Sequence, residues 1–119
     1  QTFSGQPAAH ASGASRAAIY AGATLDSGLG LSAAKSIIAG QFNAATSKIW
    51  VSALTANASG SSGGVTTRTG ITLGSSQAGS AFLNGKISEV IIYNSVLSAP
   101  DFATVMNYLG ARYAITIGP

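Results

Sequence analysis

Two kinds of hydrophobic spacing run along this chain, and they meet near its end. From residue 86 to residue 94, KISEVIIYN alternates in two rows, with Ile87, Glu89, Ile91 and Tyr93 on one face and Ser88, Val90, Ile92 and Asn94 on the other. Both rows are largely apolar, which predicts a central strand covered on both sides rather than an edge. Past the turn Asn94-Ser95-Val96-Leu97-Ser98 the period changes. Phe102, Val105, Met106 and Leu109 fall at i, i+3, i+4 and i+7, which predicts a helix with one apolar stripe. Its start is well marked: Ser98 offers an N-cap hydroxyl, Pro100 sits in the first turn, and Asp101 is the acid at N3. A single short helix after a run of strands is expected to lie on a sheet.

Upstream the alternation is weaker. Residues 1–15 show neither a period of 2 nor one of 3.6 and are predicted to form an N-terminal arm or loop, anchored only by Phe3, with the domain proper at residues 16–119. RAAIYAGATL, residues 16–25, has a strand-like centre at Ile19 and Tyr20, and Asp26-Ser27-Gly28 then reads as a turn. Residues 36–42 and 48–54 flank Asn43-Ala44-Ala45-Thr46-Ser47, a loop of the length that joins two strands through a type I turn. On the second of these strands Ile49 and Val51 share one face, and Lys48, Trp50 and Ser52 share the other. TANASGSSGG is Ser/Gly-rich and predicted to be a flexible linker, followed by a Thr-rich strand at residues 65–73 and another loop at residues 74–80.

Composition narrows the function. Hydrophobic residues make up 46% of the 119 positions and charged residues 8%, a balance that folds rather than remaining disordered. Much of the apolar fraction is alanine, however, so the core has to come from scattered Ile, Leu, Val, Phe, Tyr and Trp. The six basic residues, Arg16, Lys35, Lys48, Arg68, Lys86 and Arg112, are spread along the chain and form no patch for a phosphate backbone, so no nucleic-acid partner is expected. No apolar run is long enough for a membrane span, and QTFSGQPAAH has none of the three parts of a signal peptide.

Candidate chemistry is sparse, and no enzyme is expected. The acids are Asp26, Glu89 and Asp101. Asp101 belongs to the helix start, and Glu89 suits an ion pair or hydrogen bond with Arg112, Arg68 or backbone better than it suits paired acid–base work. Gly60-Ser61-Ser62-Gly63-Gly64 has the spacing of a nucleophile elbow without its strand–turn–helix setting, and the single histidine, His10, lies in the arm; the segment is read as a linker. Gly28-Leu29-Gly30 with Lys35-Ser36 misses the phosphate-loop spacing, so no nucleotide or other cofactor is implied. With one histidine and no cysteine, zinc and EF-hand sites lack ligands, and no metal is expected; a calcium held by backbone carbonyls with Asp26 is the one arrangement left open. Trp50 has two readings, a buried sandwich residue or a platform on which a sugar stacks with help from Lys48, Asn57 and the adjoining loops; burial is the favoured one. Asn57-Ala58-Ser59 matches a glycosylation sequon and is read as chance.

The last third also resembles a known family. FLNGKISEVIIYNSVLSAPDFATVMNYLGARYAI is similar to the C-terminal part of concanavalin A-like, laminin G-like jelly-roll domains, common in phage tail and virion proteins and in bacterial surface proteins. The matching positions are Phe82, Gly85, Ile87, Glu89, Tyr93, Asn94, Leu97, Ser98, Tyr108, Leu109, Arg112 and Tyr113, with Phe102 on the helix stripe; upstream, SIIAGQFNAATSKIWVSALTANAS resembles the family's preceding strand pair, with Ser52-Ala53 where the family often has Asn-Gly. The resemblance implies an all-β fold, an antiparallel jelly-roll-type sandwich with a short C-terminal helix packed on the sheet. It implies a partial one, because the family's N-terminal strands have no counterpart here. Either a missing segment or partner chain completes the sandwich, or copies of the chain do so as a homo-oligomer. The implied function is a non-enzymatic structural and interaction module of a phage virion, in a tail fibre, tail tip or head decoration. The alternative is a lectin-like module that binds cell-surface glycan on a virion or, extracellularly, on a bacterial surface.

Overall fold

The computed structural model describes residues 8–12, 16–31, 34–64, 73, 83 and 85–119 of the chain. These residues form two three-stranded antiparallel sheets and one C-terminal helix. The first sheet runs β1 (Ala8–Ser12), β2 (Arg16–Tyr20), β3 (Thr24–Gly30); the second runs β4 (Ile38–Gln41), β5 (Ser47–Val51), β6 (Ala58–Gly60). The helix α1 spans Ala99–Tyr113. The expected mostly-β chain with one C-terminal helix is therefore present.

The sheets meet through two isoleucines and the small residues beside them. Ile19 of β2 and Ile49 of β5 are both 0% exposed and, with Ala17, form the buried centre between the sheets, edged by Leu25, Leu31, Phe42, Val51 and Ala58. Gly40, paired with Ile49 across β4 and β5, lets Ile19 come this close: a Cβ there would stand 2.8 Å from Ile19 Cγ2. Alternation along β5 holds as predicted, with Ser47 and Ile49 buried, Lys48 exposed, and Trp50 half-buried on the opposite face.

The outer face of β5 carries the helix. The Trp50 and Phe102 rings lie 4.6 Å apart between centroids at a 40° tilt, a geometry favourable for aromatic pairs. The Ser98 cap is present: Asp101 N donates to Ser98 Oγ over 3.3 Å, and Ser98 Oγ donates to Asp101 Oδ2 over 2.6 Å. Along the predicted stripe Met106 is 1% exposed while Phe102, Val105 and Leu109 are half-buried. At its end Ala114 turns left-handed (φ 53°), and the amides of Ala114 and Ile115 both donate to the Gly110 carbonyl. The tail then returns to the second sheet, where Gly118 N donates to Ser52 O (2.8 Å) and Leu54 N donates to Gly118 O (3.0 Å). The second sheet thus meets the first sheet on one face, and α1 touches the other through the Trp50–Phe102 pair.

Four expectations are corrected. Residues 8–12, assigned to the arm, form β1 and pair with β2 from Ala8↔Tyr20 to Ser12↔Arg16; an alanine-rich strand has no apolar period to betray it. Asp26-Ser27-Gly28 is not a turn but an irregularity within β3: Arg16 pairs with Gly30 and Ala18 with Asp26, so β3 gains two residues over β2 there. Gly28 N donating to Asp26 Oδ1 (2.7 Å) and Leu29 N to Ser27 Oγ (3.1 Å) satisfy the displaced backbone; the actual turn is at residues 21–23. Part of the supposed Ser/Gly linker is β6 and a buried junction described below. Finally, residues 86–93 belong to no strand among the described residues, and Ile87 is 47% and Ile92 61% exposed. The Thr-rich strand expected at residues 65–73 and the loop at residues 74–80 lie almost entirely outside the described residues, as does Phe82.

Candidate functional site

Of the three residues weighed for sugar binding, Lys48 and Trp50 alternate onto the outer face of β5, and Asn57 lies just before β6. Lys48 is exposed and faces Gln41 on β4 and Ser59 on β6, forming a polar row beside Trp50. Asn57 stands at the end of the β5–β6 turn. Its amide donates to Ile49 O (2.9 Å) and its side-chain Oδ1 accepts from Val51 N at 2.6 Å. Asn57 therefore extends the β5–β6 ladder by a side-chain bond where Ser52, at φ 48°, leads the chain away. Trp50 is neither buried nor an open platform: Phe102 engages its ring, and part of its surface meets solvent.

A second cluster ties residues 86–93 to the helix end. Arg112 Nε donates to the Tyr113 hydroxyl (3.3 Å), which donates to Glu89 Oε2 (2.8 Å); Arg112 Nε also lies 3.3 Å from that carboxylate oxygen. The Arg112 guanidinium sits 5.8 Å from the ring centres of both Tyr108 and Tyr113. Its pKa is raised above the ordinary value, first by the hydrogen bond with Tyr113, then by charge interactions with Tyr108, Tyr113 and Glu89. The Glu89–Arg112 pairing is among the partnerships expected from sequence, and Tyr113 is the bridge that spacing did not disclose. Of the other positions in the family resemblance, Gly85, Ile87 and Tyr93 are exposed, Ser98 caps the helix, and Leu109 is half-buried.

The third cluster has no charge and was missed. Ser62 and Ser47 are both 0% exposed and their hydroxyl oxygens are 2.7 Å apart. Ser47 Oγ donates to Ala44 O (3.0 Å) and accepts from Asn43 N (2.9 Å). A hydroxyl has one proton to give, so Ser62 is the donor between them. The Ser62 backbone is equally committed: its carbonyl accepts from Ala21 N (2.7 Å) and Ala23 N (2.9 Å), and its amide donates to Ala44 O (3.2 Å). Gly63, at φ +88°, packs its α-carbon onto the same turn, where a Cβ would collide with the Ala21 carbonyl and the Ala23 amide. This segment is the bolt joining the β2–β3 turn of one sheet to the β4–β5 loop of the other. A serine followed by two glycines in a low-complexity run carries no sequence signal for that task.

Each carboxylate has a structural partner. Asp26 accepts from Gly28 N and lies 3.5 Å from Arg16 Nε, Asp101 is held by Ser98, and Glu89 by Tyr113 and Arg112. Among the described residues no three His, Cys, Asp or Glu side chains gather as a metal site, and no helix is long and apolar enough to cross a membrane. No protein-family model matches the chain, and neither a curated protein nor a solved structure does.

Proposed function

We propose that the chain is a non-enzymatic structural and interaction module that works within an assembly, as part of a concanavalin A-like jelly-roll sandwich in a phage virion. The tail fibre, tail tip and head decoration are the settings its resemblance implies. One observation carries the assembly reading. Among the described residues the buried hydrophobic ones are Ala17, Ala18, Ile19, Ala21, Ile37, Ile49 and Met106, whereas Ile87, Val90, Ile91, Ile92, Tyr93 and Val96 are all exposed within ten positions. Exposed apolar patches of this kind mark interaction surfaces, and the segment that bears them has the composition of a strand. The occupant we propose is further copies of the same chain.

Native mass spectrometry of the full chain tests this. A homo-oligomer is expected for the wild type, and Ile92→Asp is expected to shift it toward monomer while the helical circular dichroism is retained. A wild-type monomer at every accessible concentration overturns the proposal.

A lectin-like module is the second reading, favoured by the polar row Gln41–Lys48–Ser59, with Lys48 and Ser59 exposed, beside the half-buried Trp50. It ranks lower because Phe102 engages the indole and Val51 N occupies the Asn57 carboxamide oxygen. A glycan array supports it if wild type binds and Lys48→Ala does not; silence from the wild type removes it.

A further inference from the structure

We draw no further inference here: the strongest candidate, the exposed apolar run at residues 87–96 beside the C-terminal helix, already carries the proposed assembly, and nothing in the structure shows what covers it.

Discussion

Ser47 Oγ sits 2.7 Å from Ser62 Oγ in a site closed to solvent, and the two hydroxyls differ in what they hold. Ser47 serves Asn43 N, Ala44 O and Ser62 together, while the Ser62 side chain serves Ser47 alone. Ser62→Ala should therefore cost about 1 kcal/mol, the net value of one hydrogen bond. Ser47→Ala strands a backbone amide and a buried hydroxyl and should cost about 2 to 3 kcal/mol. Urea denaturation of both variants checks the order; equal losses would mean that the network is not arranged as described.

Gly63 and Gly64 are neighbours with opposite tolerances. A methyl at Gly63 meets backbone of the β2–β3 turn at a left-handed φ, whereas one at Gly64 meets nothing within 4 Å. Gly63→Ala is expected to destabilise by about 3 kcal/mol, through strain and overpacking together, and Gly64→Ala by less than about 0.5 kcal/mol. Thermal unfolding of the pair distinguishes a bolt from a flexible linker, in which both substitutions would be harmless.

Because Trp50 is the single tryptophan, its fluorescence reports the helix contact directly. Phe102→Ala should red-shift the emission as water reaches the indole. It should also cost about 1 to 2 kcal/mol, below the range for a fully buried phenylalanine because Phe102 is half-buried. Met106→Ala, at the most buried point of the stripe, should cost about 2 to 5 kcal/mol. An unchanged spectrum in Phe102→Ala would show that the helix does not meet Trp50 in solution.

The hydroxyl of Tyr113 links Glu89 to Arg112, so Tyr113→Phe removes the bridge and keeps the ring. Limited proteolysis should quicken across residues 86–93 and stay unchanged in β5. High salt should produce the same pattern in the wild type, because the arginine is exposed and its ion pair is screened. Unaltered cleavage in both cases would show that this segment is held by something else.

What the sequence disclosed was local and what it concealed was mutual. Ser98, Pro100 and Asp101 specify the helix start within a few residues, and the 43–47 loop dictates its hairpin, so both are legible from neighbours alone. β1 and β6 depend on backbone pairing by alanines, serines, a glycine and His10, which carry no hydrophobic period. The burial of Ser62 depends on a turn some forty residues earlier, and no local pattern announces it. Residues 86–93 err in the other direction: two apolar rows indicate how much surface would gain from cover, not whether the same chain provides it.

Ala44, Ser52 and Ala114 all adopt left-handed backbone conformations, at φ 46°, 48° and 53°. A β-carbon there costs about 1 to 2 kcal/mol, and each position is a corner where the second sheet or its helix changes direction. Ala44 O receives Ser62 N, Ser52 O receives Gly118 N, and Ala114 N reaches Gly110 O. These corners are bent by what they grip rather than by their own preference. A chain released from those grips would straighten first at its corners, so unfastening and unbending are one event.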